Sequence, residues 1–163
     1  MRETTPVLTA DPLARDALAA VRVLYTDLDG TLVAPGGSVL ADADGSPATH
    51  VAEAIVAVAR AGLAVVPISG RSRLQLRELT QVLGWDGYIA EAGGIIVHGT
   101  GLNAEARIDR GIWTDAMVDP GETPFAAINR VGATEALMAA FPGRIEPYAP
   151  WQLEREVSLL LRG

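Results

Sequence analysis

A chain of 163 residues with 49% hydrophobic content can bury one sizeable core, and its net charge of −7, with a pI near 4.7, argues against nucleic acid or an anionic membrane as the main partner. It has no cysteine, which excludes disulfides and thiolate metal sites, and all 13 basic residues are arginine, so no lysine is available for chemistry. No apolar run approaches the ~18 residues of a membrane span and the first eleven residues lack a signal-peptide core, so the expectation is a soluble, cytoplasmic protein.

Residues 1–10 read as a loose tail. Asp11-Pro12 then supplies an N-cap acceptor and a proline at N1, and Leu13, Ala17 and Leu18 give a short helix its apolar stripe. Val21 to Tyr25 is an apolar, β-prone run suited to a strand buried on both faces, and it leads into Thr26-Asp27-Leu28-Asp29-Gly30-Thr31. Proline, glycine and aspartate over 33–45 predict a loop or small flap hairpin. Ser46-Pro47 repeats the helix-start signal, and Val51, Ala54, Ile55, Val58 and Ala59 keep helical spacing until Gly62. Leu63 to Ile68 reads as a second buried strand ending in Ser69-Gly70-Arg71-Ser72, followed by a helix from about Arg73 to Leu83 that Gly84 closes. Tyr88-Ile89-Ala90 makes a third strand, and Glu91-Ala92-Gly93-Gly94 turns the chain into Ile95 to His98. Strand, helix, strand, helix, strand predicts an α/β fold with a Rossmann-like parallel sheet and right-handed crossovers.

Beyond Gly99 the composition shifts to Gly, Asp and Asn, with Ile108, Ile112 and Trp113 as scattered anchors. Thr123-Pro124 caps a helix that Gly132 breaks and Ala133 to Phe141 continues, and Glu156 to Leu161 reads as a strand with no partner in view. His50 and His98 are isolated and read as surface or packed residues, and Trp85, Trp113 and Trp151 as packing residues. Arg73 and Arg77 read as a solvated helix face.

Two stretches carry chemistry. Asp27 and Asp29 stand two apart at the end of an extended run, so both carboxylates can face one small volume, beyond the strand ends where α/β folds bind ligands. Their mutual repulsion, about 4 kcal/mol at an effective dielectric near 20, calls for a cation, and Mg²⁺ is the usual oxygen-seeking one. The plainer alternative is a strand that ends in an Asp-Gly turn. At Ser69-Gly70-Arg71 a hydroxyl, a glycine backbone and a guanidinium, set between a strand end and a helix N-terminus, form an anion site or an ordinary strand-to-helix turn with Ser72 as N-cap.

Together, DLDGT after one strand and ISGRS after the next resemble the haloacid dehalogenase-like phosphohydrolases over residues 21–98, and Tyr88 to Gly94 looks like the sugar-phosphatase branch, with Ala92 where that branch usually has asparagine. The resemblance implies a phosphatase acting on a phosphorylated sugar or similar small phosphate monoester. Asp27 would be the nucleophile that forms an aspartyl-phosphate, and Asp29 the general acid and base. Mg²⁺ would bind the Asp27 carboxylate and the Asp29 backbone carbonyl. Thr31, Ser69, the Gly70 amide and Arg71 would serve the substrate, Arg71 by binding phosphate or by bracing the loop. It also implies a lysine and a late acidic motif. The chain has no lysine, and the pair Asp115 and Asp119 is read as an exposed loop. The expected organisation is therefore residues 1–98 as the N-terminal part of the core and 99–163 as flap, linker and the first part of an incomplete α+β cap. The strand that follows the lysine in the family would be missing, leaving Val21 to Thr26 as an exposed sheet edge that invites self-association. The competing reading is a non-catalytic module that binds phosphate or a protein through the same strand ends. A dinucleotide-binding domain is disfavoured, because no G-x-G-x-x-G follows the first strand.

Overall fold

The strand that ends in Asp27 lies at the edge of the sheet. In the computed structural model, which describes residues 12–99, 107–112 and 119–163, α1 (Pro12–Ala19) leads into β1 (Val23–Asp27), α2 (His50–Arg60), β2 (Ala64–Ile68), α3 (Arg73–Leu83) and β3 (Gly87–Ala90). There follow β4 (Ile95–His98), β5 (Arg107–Asp109), α4 (Pro124–Arg130), α5 (Ala133–Ala140), β6 (Glu146–Pro147) and β7 (Leu161–Arg162). Among the described residues five strands form one sheet in the order β1-β2-β3-β4-β5. β1 pairs with β2 in parallel from Val23 opposite Ala64 to Asp27 opposite Ile68, and β2 meets β3 in parallel at Ile68 and Ile89. β3 with β4 and β4 with β5 are antiparallel, so the expected parallel crossover half is extended by an antiparallel half. The reversal is a 3₁₀ turn at Glu91–Gly93, in which Ala92 sits at φ +56°.

Local chemistry explains where the helices start. Ser72 accepts from the Gln75 amide while the Gln75 side chain accepts from the Ser72 amide, a capping box that opens α3, and Gly84 closes it in the left-handed conformation. Thr123 caps α4 through Ala126, with Pro124 in its first turn. The start expected at Ser46-Pro47 is displaced to His50. Ser46 is consumed by a turn in which its carbonyl accepts from Asp42 and its amide donates to the Asp44 carboxylate, while Pro47 bridges Ala41. The expected strand over Glu156 to Leu161 is also corrected. Only Leu161 and Arg162 form a strand, paired antiparallel with Pro147 and Glu146, because the backbone amides of 156–158 donate to a side chain instead of a ladder.

The core gathers Leu28, Val33, Val65, Leu76, Tyr88, Ile95 and Val97, with Trp85 buried beside them. β1 departs from the burial its composition suggests: Val23, Leu24 and Tyr25 are 41%, 39% and 60% exposed. Among the described residues β2 is its one neighbour, so its other edge offers backbone groups and apolar side chains with no strand beside them there. In a solution of this chain alone the available partner is a second copy, so sedimentation should show species larger than a monomer that Tyr25→Lys reduces. A monomer at all concentrations, with slow amide exchange along residues 23–26, would contradict this. No helix among the described residues is long and apolar enough to cross a membrane.

Candidate active site

The turn after β1 is fastened into the core by the residue between the aspartates. Leu28 is fully buried, and its carbonyl accepts from the amides of Thr31, Leu32 and Val33, while Gly30 donates to Val33. Asp27 and Asp29, on either side of Leu28, stay exposed. The Thr31 hydroxyl donates to Asp27 Oδ2 at 2.9 Å. Opposite Asp27 in the parallel register is Ile68, so the next residue, Ser69, arrives beside this turn.

Ser69 is buried and donates to Asp29 Oδ2 at 3.1 Å. Arg71 grips the same carboxylate, Nη2 to Oδ1 at 2.6 Å and Nε to Oδ2 at 3.1 Å. The Arg71 hydrogen bond is the main reason the Asp29 carboxyl is held below the usual carboxylate range; partial burial opposes this, and Ser69 assists. The pair's side chains are 26% and 54% exposed, and a pair so open to water contributes only about 0–1 kcal/mol. Stability alone therefore does not explain a two-pronged contact between two strand ends. The loop after β1 comes close as well: a methyl group at Gly37 would stand 3.7 Å from Arg71 Nη2. Asp29, Ser69 and Arg71 are thus brought into direct contact, with Asp27 and Thr31 on the adjoining turn. The Gly70 amide has no acceptor among the described residues.

No group of three or more His, Asp or Glu side chains placed to hold a metal stands among the described residues. Mg²⁺ makes do with one or two carboxylates and several waters, so Asp27, bonded through Oδ2 to Thr31, fits as part of such a shell. Asp115 lies outside the described residues, and Asp119 pairs with Arg130 at 3.6 Å. The concavity lined by Asp109, Arg110, Asp119, Glu122 and Pro124 shares no residue with the Asp29 cluster.

Arg73 differs from expectation. It is not a solvated face residue but shares the carboxylate of Glu156 with Arg110, whereas Arg77 pairs with Glu78 at the surface, as expected. Burial is the strongest single influence on Glu156 and raises its pKa, but Arg110 and Arg73 together hold the carboxyl below its ordinary range. A folded-state pKa below the unfolded one gives stability that is complete above the unfolded value, about 4.3, and is lost as pH falls through the folded value. Glu156→Gln should therefore lower the urea midpoint at pH 7 and make it less sensitive to acid below about pH 4. Parallel acid curves for the two proteins would contradict the assignment.

Two residues of this region escaped the sequence reading. Glu91, 5% exposed, accepts from the amides of Glu156, Val157 and Ser158 at 2.8, 3.1 and 2.9 Å and from the Ser158 hydroxyl at 2.6 Å. Arg155, 8% exposed, donates to the Gly70 carbonyl at 2.5 Å. The available signal was an acid inside an apolar, glycine-rich strand end, since such a carboxylate must find donors.

No family model and no curated protein matches the chain. Among solved structures, it is similar to a protein of Thermoplasma acidophilum, with 20% identity and a TM-score of 0.54, over 85% of this chain and 49% of that one. This likeness shows the shared α/β fold. It is also similar to a phosphatase of the haloalkanoate (HAD) enzyme superfamily from Bacteroides thetaiotaomicron, with 17% identity and a TM-score of 0.47, over 90% of this chain and 42% of that one. A third is a haloacid dehalogenase-like hydrolase from B. subtilis, with 18% identity and a TM-score of 0.45, over 74% of this chain and 34% of that one. The chain spans between a third and a half of the length of these structures.

Proposed function

We propose that this chain carries the nucleophile and the phosphoryl-binding turn of a Mg²⁺-dependent phosphatase acting on a sugar phosphate or similar small phosphate monoester. The supporting observation is the meeting of two strand ends, in which Arg71 and Ser69 of one close on Asp29 of the other, with Asp27 two residues before it. Asp27 attacks phosphorus, the P–O bond to the alcohol breaks, and Asp29 gives its proton to the leaving alkoxide. Water then attacks the aspartyl-phosphate, Asp29 takes a proton from it, and inorganic phosphate leaves with Asp27 restored. Ser69, the Gly70 amide and Arg71 hold phosphoryl oxygens, and Thr31 orients the Asp27 carboxylate. A phosphoryl group competes with Asp29 for Arg71. Transfer of the guanidinium to the substrate would remove the chief influence that lowers the Asp29 pKa, and the phosphoryl charge arriving beside it would raise that pKa further, toward the protonated form its acid role requires. Asp27 and Asp29 would hold Mg²⁺, which would supply further neutralisation of phosphoryl charge.

Without a lysine the positive charge at this turn rests on Arg71 and the metal, so slow turnover is expected and rates are best read in single turnovers. Asp29→Asn should slow release of phosphate from a hexose phosphate by about 10²–10⁴ while leaving an activated aryl phosphate much less affected, because only the poor leaving group needs the proton. Equal losses on both substrates would contradict the acid role. Phosphate binding without any turnover would favour a non-catalytic module, a reading that the lack of lysine and of a three-acid cluster among the described residues supports.

A further inference from the structure

The Ser69-Gly70-Arg71 turn is held from behind at every carbonyl. Ser69 O accepts from the Ala92 amide at 3.0 Å, Arg71 O from the Glu91 amide at 3.0 Å, and Gly70 O from Arg155 Nη1 at 2.5 Å. A peptide unit is planar and trans, so fixing its carbonyl also fixes the opposite direction of its N–H. Fixing Ser69 O aims the Gly70 amide forward. Fixing Gly70 O aims the Arg71 amide at Ser69 Oγ, from which it lies 3.2 Å, and that oxygen in turn donates to Asp29. The result is a chain of bonds, Arg155 to the 70–71 peptide to the Ser69 hydroxyl to Asp29, in which a cation at one end and a carboxylate at the other polarise each link.

Arg155 is itself placed by the tail segment. It donates to Ser158 Oγ at 3.3 Å, and Ser158 is bonded to Glu91 through both its amide and its hydroxyl. The segment lies so close to the turn after β3 that a methyl on Gly94 would collide with Val157 Cγ2, and the Ser72 hydroxyl reaches Glu154 Oε2 at 3.4 Å. Besides the Gly70 carbonyl and the Ser158 hydroxyl, Arg155 bonds, among the described residues, only its own segment, through Nε to the Trp151 carbonyl at 3.3 Å, so its one bond into the turn is spent on the peptide that aims the Arg71 N–H.

We propose that Arg155, seated by Glu91, is a positioning residue for the 69–71 turn. It holds the Arg71 amide on Ser69 Oγ and so sets the direction of the Ser69 hydroxyl, which receives a phosphoryl oxygen when it leaves Asp29. The ligand side of this proposal rests on the reading of that turn as a phosphoryl-binding site.

The test is ¹H–¹⁵N NMR on the full chain with inorganic phosphate as the probe. In the wild type, phosphate should shift the Gly70 and Arg71 amides. In Arg155→Met the Arg71 amide should move already in the free protein, phosphate should bind about tenfold more weakly, and the amides of α2 and β1 should keep their wild-type positions. Arg155→Lys, able to retain one bond to Gly70 O, should recover part of the affinity. Unchanged phosphate affinity in Arg155→Met overturns the proposal. If the wild type binds no phosphate, the phosphoryl reading fails, and the free proteins still decide the positioning role: an unmoved Arg71 amide in Arg155→Met overturns it. Should Arg155→Met fail to fold, Glu91→Gln loosens the same segment without touching Arg155. It should produce both changes, and their absence overturns the proposal.

Discussion

Asp27→Asn is expected to lower phosphate release by roughly 10⁴-fold or more while leaving the fold intact. The amide that replaces the carboxylate is nearly the same shape, but its oxygen is a poor nucleophile and forms no acyl phosphate that water can clear. Asp27 is exposed and its side chain accepts from Thr31, a bond that the asparagine oxygen can also accept. Its loss as a charge should therefore move stability by less than about 0.5 kcal/mol, as for most surface changes. Thermal unfolding and single-turnover rates on the same preparation separate the two effects. Retention of most of the rate would remove Asp27 from the chemistry, and loss of the fold would make it a structural residue of the β1 turn.

Glu91→Ala should be the most damaging substitution for stability. The buried carboxylate accepts from three consecutive amides and one hydroxyl, and among the described residues no other acceptor is bonded to those groups. Each orphaned buried donor costs about 1–3 kcal/mol. Because the segment can partly relax into water, a total of roughly 3–5 kcal/mol is expected, against the 5–15 kcal/mol of a typical domain. Glu91→Gln, which keeps one acceptor oxygen and adds a donor where donors already converge, should fall between the two. Urea unfolding measures both, and a loss below about 1 kcal/mol for Glu91→Ala would mean that the segment is held by packing at Gly94 and Val157 alone.

Local signals were legible in the sequence wherever one residue decides the backbone. Ser72, Gly84, Thr123-Pro124 and Gly132 set α3, α4 and the start of α5 where they were expected. The two motifs were legible because strand alternation sends Leu28 inward and leaves Asp27 and Asp29 outside, and because parallel pairing of β1 with β2 puts Ile68 opposite Asp27. What stayed hidden depends on distant partners. Val23 to Tyr25 has the composition of a buried strand, and no local feature marks it as an edge; that expectation came only from the strand the resemblance implies as missing, and among the described residues β1 has β2 alone beside it. Arg73 looks like a surface arginine until Glu156, 83 residues later, arrives to share it. Glu156 to Leu161 has strand composition, but Glu91 takes the amides of 156–158 before a ladder can.

The central claim, that Asp27 accepts a phosphoryl group, is tested most directly by trapping it. The chain is mixed with Mg²⁺ and an aryl phosphate, quenched in acid within a single turnover, and mapped by peptide mass. The account predicts one phosphoryl group on the peptide that contains Asp27, released by hydroxylamine as an acyl phosphate should be and absent from Asp27→Asn. Phosphoryl on Ser69, or turnover with no modified peptide at any quench time, would contradict it.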